Sequence, residues 1–363
     1  MPDTELSCAL HFNNPILTKH NPRLYSRQSM FSESNKIKKY LRKLPPALLS
    51  VQNTDSIEIL DRMPGSYNLN FHIRVNQKEF IFRINIEQQS GFKNQIEYEF
   101  SILKFLDNHC IAPKAYYFDN SRRHFAYGIL IEEYLEGPYL TLEKENLSEV
   151  VEVMVRLHAL NTEGMQFVIW KDPLADTFEL VRKDLIYYES KATPTKKVIN
   201  LAGKLLAKHE TAIDNYQHLY HAASLNHTDV CCDNFIKTAE GLKLIDWEKP
   251  RVDDCSYDIC CFLSEPVEMW CSRKILNSEA REHFVNSYAR ASGISADHLM
   301  RKVKVREPLI SLHWILWGAS KLCDLRDRLT SPDLIKAHEE KAARYERIAD
   351  PQNIEKLLDT VMF

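Results

Sequence analysis

Residues 225–263, LNHTDVCCDNFIKTAEGLKLIDWEKPRVDDCSYDICCFL, constrain the fold more than any other stretch of the chain. Two clusters of polar residues stand in an apolar frame: His227, Asp229 and Asn234 as H-x-D-x-x-x-x-N, then Asp246. Between them, Phe235-Ile236-Lys237 and Leu242-Lys243-Leu244-Ile245 flank a Glu-Gly turn, the pattern of a short β-hairpin. A hairpin whose stems end in Asn234 and Asp246 carries both side chains to one rim, with Asp229 on the loop just before it. An Asn carbonyl and an Asp carboxylate are the oxygen donors that Mg²⁺ takes alongside substrate phosphates. Asp229 has no basic residue in its loop, which leaves it available to take a proton from an attacking hydroxyl.

A loop Asp as base, then an Asn and a second Asp on the metal, are the parts of a kinase-type phosphoryl-transfer site. HTDVCCDN and LIDWE resemble the catalytic and metal-binding signatures of the aminoglycoside phosphotransferase and choline kinase superfamily, the small-molecule branch of the protein-kinase-like fold. Thr228 replaces the Arg of the protein-kinase H-R-D, and Trp247-Glu248 replaces the Phe-Gly of D-F-G. No A-P-E stop follows Asp246, and Asp258 comes only twelve residues later, which speaks against a protein kinase. The resemblance covers the chain from about residue 57 onward. It implies an α+β, bilobal fold with a five-stranded antiparallel sheet plus one helix in the N-lobe and a mostly helical C-lobe. By the same resemblance, Asp258 holds the backbone N–H groups of the catalytic loop and His227 braces that loop rather than taking a proton.

A length of 363 residues suits two lobes. A formal net charge of −3 gives no basic field for nucleic acid or an anionic membrane. No run approaches the roughly 18 apolar residues of a membrane span, and the N-terminus lacks the basic start and apolar core of a signal peptide. The nine cysteines include the adjacent pairs Cys231-Cys232 and Cys260-Cys261, which make poor zinc knuckles, and an odd total argues against a closed disulfide framework. They read as small buried hydrophobes in a reducing cytoplasm; for Cys231 and Cys232, inside the catalytic loop, a reactive thiol is the other reading.

Residues 1–34 have no clear period and are expected to form a loosely ordered extension, followed by a short helix carrying Ile37, Tyr40, Leu41 and Leu44. The nucleotide-binding lobe is expected over 35–134 and the catalytic lobe over 135–363. Strands are expected at 57–60, 68–75, 80–84, 114–119 and 127–134. The turn at Gly65 and Ser66 reads either as an ordinary hairpin or as a loop that lays N–H groups against phosphates. In the family's G-x-x-N-x-x-[FY] pattern, Gly65, Asn68 and Phe71 are in register. Arg83 occupies the place of the kinase strand lysine, and Glu99, with Glu97 as fallback, is its expected partner on the next helix. Glu132, Glu133 and Tyr134 resemble the hinge whose backbone would read an adenine edge.

The fold and motifs together lead to transfer of the γ-phosphoryl group of ATP (or GTP), with Mg²⁺, to a hydroxyl of a small molecule. Three readings of the acceptor stay open, one of them a sugar or other metabolite hydroxyl that would leave no mark in the sequence. Glu248, Asp253, Asp254, Glu265 and Glu268 are positioned either to line an acidic cleft for an aminoglycoside or other polycation, or simply to be solvated at the surface. Trp314 and Trp317, three apart on one helix, are candidates for a cage around a choline-type ammonium, or for plain core. The rival class is a non-catalytic nucleotide-binding pseudokinase, favoured by the glycine-poor loop and the Arg in place of Lys.

Overall fold

The structure, a computed structural model, describes residues 27–63, 65, 68–86, 94–271, 274–328 and 332–361. Contacts divide the chain into two units, one of residues 1–136 with 247–249 and one of 137–246 with 250–363. Most of the expected extension, and Ser66 of the glycine turn, lie outside the described residues.

The first unit is built on five antiparallel strands, β1 (Ile57–Met63), β2 (Asn68–Val75), β3 (Lys78–Asn85), β4 (Ala115–Asp119) and β5 (Gly128–Glu133), in the order β1-β2-β3-β5-β4. Burial alternates along β2, as a strand with one covered face requires. The covered face carries Phe71, Ile73, Phe80 and Phe82, each essentially inaccessible and each stabilising by about 1.5–3 kcal/mol. Helix α1 (Arg27–Leu41) starts inside the stretch expected to be loose. It closes that core with Ile37, Tyr40 and Leu41, and the Tyr40 hydroxyl donates to Asp119 Oδ2 at 2.7 Å. Strand β1 runs three residues further than its sequence pattern suggests, to Met63, because a register shift between Ile59 and Asp61 carries the pairing past Leu60. Helix α2 (Gln95–Leu106) buries Gln95 and Glu99 along with Ile96, Ile102, Leu103 and Leu106.

The second unit is mostly helical. Helices α3 (Lys144–His158), α4 (Pro173–Glu189) and α5 (Lys196–Tyr216) precede strand β6 (Ser224–Asn226), hairpin β7 (Phe235–Thr238) and β8 (Gly241–Leu244), and strand β9 (Arg251–Asp253). Helices α6 (Ser256–Leu263), α7 (Glu265–Cys271), α8 (Ser278–Ser292), α9 (Ala296–Arg328), α10 (Pro332–Ile348) and α11 (Pro351–Thr360) follow. One of its apolar clusters is formed by α4, α5, α9 and α11.

Two arrangements in this unit position the site. The segment 138–140 lies along β7, with Leu140 N–H on the Phe235 carbonyl at 3.0 Å and Lys237 N–H on that of Pro138 at 2.9 Å. Gly137 begins that segment at φ +153, where a Cβ would stand 2.2 Å from the Lys237 carbonyl oxygen, so a larger residue does not fit. Below, the fully buried Arg306 of α9 donates to both carboxylate oxygens of Asp253, at 2.8 and 2.9 Å, and Lys302 pairs with Asp254 at 2.7 Å. Asp254 accepts the Ser256 N–H at 3.0 Å, which fixes the start of α6.

Candidate active site

The loop between β6 and β7 is held from underneath by α6. Asp258, wholly buried in the first turn of that helix, accepts the backbone N–H of His227 on Oδ2 at 2.7 Å and that of Thr228 on Oδ1 at 2.8 Å. His158 at the end of α3 adds a third contact, Nε2 to Asp258 Oδ2 at 3.2 Å, while its Nδ1 meets the Tyr288 hydroxyl at 2.7 Å. Burial pushes the Asp258 carboxyl up, but His158 and the His227 backbone N–H outweigh it and hold the group below the usual carboxylate value. A carboxylate here therefore stays ionised.

His227 closes a ring of backbone bonds. Its Nδ1 accepts the Asp229 N–H at 3.3 Å, so Nε2 carries the proton and donates to the Ile245 carbonyl at 3.0 Å. Burial lowers its pKa, which suits the neutral ring this pattern needs. The Asn234 side chain donates Nδ2–H to the Asp229 carbonyl at 2.8 Å, and the Asn234 carbonyl accepts the Ile245 N–H at 2.8 Å. Asp229, Asn234 and the residue before Asp246 are thus tied by one chain of hydrogen bonds. All three side chains are half-buried, while Thr228, Val230, Phe235 and Leu244 around them are buried.

Two non-glycine residues of this ring have left-handed backbone, Thr228 at φ 73 and Asp246 at φ 69. Asp tolerates that region; a β-branched Thr does not choose it. Such conformations persist only where the surroundings over-determine them, and they gather at functional sites. The two N–H bonds to Asp258 supply that determination at Thr228.

This donor set fits Mg²⁺. With its Nδ2 committed to the Asp229 carbonyl, the Asn234 Oδ1 is oriented as an acceptor, and with the Asp246 carboxylate it gives two hard oxygen ligands, as a metal that keeps waters and substrate phosphates requires. Among the described residues, no group of three or more His, Cys, Asp or Glu gathers as a self-sufficient metal cluster.

In the first unit, the structure brings Arg83 and Glu99 together, Nη1 to Oε1 at 2.7 Å, and both are buried. A second carboxylate, that of Glu132, stands 3.1 Å from Nη2. Sequence reasoning gave Glu132 only a backbone role. Arg83 pairs across the ladder with Leu130, so Glu132, two residues on, shares its face. The Glu133 N–H donates to the Lys114 carbonyl at 2.8 Å. Tyr134 stacks on His72 with ring centroids 3.6 Å apart. At Gly65, a Cβ would lie 2.5 Å from the Asn68 carbonyl oxygen, so the turn closes only with glycine.

The acidic cleft is not built. Glu248 is buried in the first unit, where Oε2 accepts from Asn68 Nδ2 and Gln95 Nε2, each at 3.2 Å. Asp253 and Asp254 are buried on Arg306 and Lys302, and Glu268 is buried with its Oε2 on the Leu276 N–H at 2.7 Å. Each carboxylate is consumed by an internal partner, and of the five only Glu265 keeps part of its surface.

Trp314 and Trp317 instead belong to a four-ring cluster. Their centroids are 5.5 Å apart at 75°. Trp317 also meets Trp270 of α7 edge-on at 5.3 Å and Tyr345 of α10 at 5.6 Å, and Trp270 stacks on Tyr345 at 5.3 Å. The three tryptophans are half-exposed. The rings already draw cations, with Arg344 Cζ 5.8 Å from the Trp270 centroid and Lys341 Nζ 6.0 Å from that of Tyr345. Burial first, and then the Asp229 charge, push the Cys261 thiol well up. Trp270 and Tyr345 were missed in the sequence because they sit on other helices, and no periodicity on one helix reports a neighbour on the next.

A family model described as choline/ethanolamine kinase matches residues 62–345. Among solved structures, the chain is similar to an ethanolamine kinase of Plasmodium vivax, at 18% identity, covering 93% of this chain and 91% of that one, with a TM-score of 0.63. It is similar also to a choline kinase of Cryptosporidium parvum, at 20% identity, 90% and 96% coverage and a TM-score of 0.59. A choline kinase of Streptococcus pneumoniae matches at 20% identity, 90% and 99% coverage and a TM-score of 0.58. These likenesses agree with the kinase-like α+β fold. No curated protein sequence matches the chain. No helix among the described residues is long and apolar enough to cross a membrane.

Proposed function

Since the chain belongs to the choline/ethanolamine kinase family, we propose that it transfers the γ-phosphoryl group of ATP (or GTP) to the hydroxyl of a small cationic amino alcohol. The observation that carries this reading is the hydrogen-bonded chain that ties Asp229 and Asn234 to Ile245, the residue before Asp246. The half-buried tryptophans of α7 and α9 favour a cationic acceptor over a sugar, because aromatic faces attract an ammonium group. The buried carboxylates weigh against a polycationic aminoglycoside.

In this mechanism the acceptor oxygen forms the new bond to the γ-phosphorus as the bond to the departing nucleoside diphosphate breaks. Asp229 orients the hydroxyl and takes its proton. Asn234 and Asp246 would hold Mg²⁺, which would supply charge neutralisation at the phosphates. Arg83, fixed between Glu99 and Glu132, and the Gly65 turn serve the nucleotide. Phosphoryl transfer has a loose transition state, so positioning and charge are what a protein contributes.

The test is phosphate transfer from Mg²⁺-ATP to a panel of choline, ethanolamine, an aminoglycoside and a sugar, with the product identified by mass. Phosphocholine or phosphoethanolamine, formed about 10²–10⁴-fold more slowly with Asp229→Asn, is the expected result. Transfer to no acceptor, with a persistent thermal shift on adding Mg²⁺-ATP, would leave the chain a nucleotide-binding pseudokinase and overturn the proposal.

A further inference from the structure

The formal net charge of −3 is a sum over the whole chain, and positive charge is not spread evenly along it. In its last turns α1 buries Ile37, Tyr40 and Leu41 against the sheet, which leaves Lys36, Lys38, Lys39, Arg42 and Lys43, on α1 and just past its end, on the outer side. At about 100° per residue, these five span the outer half of the helix from one flank to the other. The only acid in α1 is Glu33, a turn before Lys36. The loop between β4 and β5 continues the charge. It seats against the same helix, with the His124 and Tyr40 ring centroids 5.1 Å apart and Lys36 Nζ 4.6 Å from the Phe125 centroid. Arg122, Arg123 and His124 of that loop are exposed. Among the described residues, no carboxylate pairs with Lys38, Lys39, Arg42, Lys43, Arg122 or Arg123. Asp119 nearby is already engaged by the Tyr40 hydroxyl and, at 2.8 Å, by the Ser121 N–H. Exposed cations on other helices are matched instead, Arg182 with Glu179 at 2.7 Å and Arg344 with Glu340 at 2.9 Å. A merely solvated face mixes both signs; this one does not.

We propose that this surface docks the chain on an anionic membrane, with α1 and the β4–β5 loop lying on the lipid headgroups. Unpaired Lys and Arg side chains held on one rigid face meet a plane of negative charge, and each contributes about fivefold to binding. A nucleic acid would draw on the same cations, but base stacking has little to work with here, because Tyr40 and Phe125 are buried under the patch. The 3-10 turn Pro46–Leu49 that follows α1 exposes Leu48, an apolar side chain that suits the boundary between headgroups and acyl chains. The fold keeps docking apart from nucleotide binding. Helix α1 covers the sheet face that carries Phe71, Ile73, Phe80 and Phe82. Arg83, next after Phe82, belongs to the opposite face, so a membrane against α1 leaves the Arg83 face uncovered.

Docking does not depend on which acceptor the chain phosphorylates, or on whether it phosphorylates one. The experiment is co-sedimentation of the full chain with phosphatidylcholine vesicles, with and without phosphatidylserine, at low and at high salt. Binding is expected only where phosphatidylserine is present, and should weaken as salt rises, because the charges are exposed and screened. Lys39→Ala combined with Arg123→Ala should reduce partitioning by about 20- to 30-fold. Lys196→Ala combined with Lys204→Ala, on α5, makes the same change in net charge and should leave partitioning at the wild-type level. All four side chains are exposed, so both double variants should unfold at the wild-type temperature. No sedimentation with phosphatidylserine vesicles at low salt would overturn the proposal, as would equal sedimentation with phosphatidylcholine alone or equal loss in the two double variants. Release by soluble phosphoserine at a concentration matching that of the lipid would make the patch a small-anion site instead. Tighter binding to an RNA oligomer than to the vesicles would make it a nucleic-acid surface, and either result sinks the membrane reading.

Discussion

Asp258 Oδ1 accepts the Thr228 N–H at 2.8 Å, and Thr228 is the residue whose φ of 73 lies where threonine is rarely found. The loop between β6 and β7 thus takes its shape from a carboxylate in the next helix rather than from its own sequence. Replacing Asp258 with Ala strands two buried N–H groups and the His158 ring. It should cost about 3–5 kcal/mol, read by chemical denaturation. Asp258→Asn keeps one acceptor oxygen and should cost less. Thr228→Gly, which accepts the left-handed backbone freely, should stay within about 1 kcal/mol of wild type. A stable Asp258→Ala variant would refute the brace.

Asp229 and Asp246 should fail differently. Asp229→Asn retains the backbone carbonyl that holds Asn234, so Mg²⁺-nucleotide binding should survive while turnover falls by about 10²–10⁴-fold. Asp246→Ala should weaken Mg²⁺-nucleotide binding itself. A nucleotide titration by calorimetry in the presence of Mg²⁺ separates the two, and equal loss of binding in both would contradict the division of roles.

Much of this arrangement was legible in the chain because local pattern sets it. The spacing of His227, Asp229 and Asn234 and the two short apolar runs define the loop and hairpin, and alternation along 57–84 gives three of the five strands. What was not legible depends on partners distant in sequence. Nothing in SYDICCFL says that His158, a hundred residues earlier, would meet Asp258. The run of acidic residues from Glu248 to Glu268 reads as a surface, yet Arg306 and Lys302 of α9 and Asn68 of β2 draw most of it inside. Charge in a sequence is visible; the counter-charge that buries it is not.

Arg83 between Glu99 and Glu132 makes a sharp test of that point. All three are buried, so Arg83→Met would leave two carboxylates facing each other in the interior. The expected cost is about 3–5 kcal/mol, with partial recovery when Glu132→Gln is added. Urea unfolding of the single and double variants measures the coupling, and additive losses would mean that Glu132 does not act through Arg83.

Removing one aromatic face should weaken the acceptor and not the nucleotide. A cation–π contact contributes about 0.5–2 kcal/mol, so Trp317→Leu or Trp270→Leu should raise KM for choline by about 2- to 30-fold with KM for ATP unchanged. Trp317→Phe should lose less, since a face remains. Equal effects on both substrates would place the rings in the core alone.

Glu268 gives the chain a pH dependence that can be isolated. Burial pushes its carboxyl up to about 8, from an unfolded value near 4.5. Between those limits the folded state holds a proton that the unfolded state has released, so stability is greatest below pH 4.5 as far as this group is concerned. It then declines by about 1.4 kcal/mol per pH unit until pH 8, and is level beyond. Gln at this position keeps an acceptor for the Leu276 N–H and carries no proton to lose. Glu268→Gln should therefore be more stable than wild type at pH 8 and show a flatter dependence of unfolding free energy on pH between 5 and 8. Parallel pH profiles for the two proteins would show that Glu268 ionises in the folded state as it does in the unfolded one, and that its burial is relieved when the charge forms.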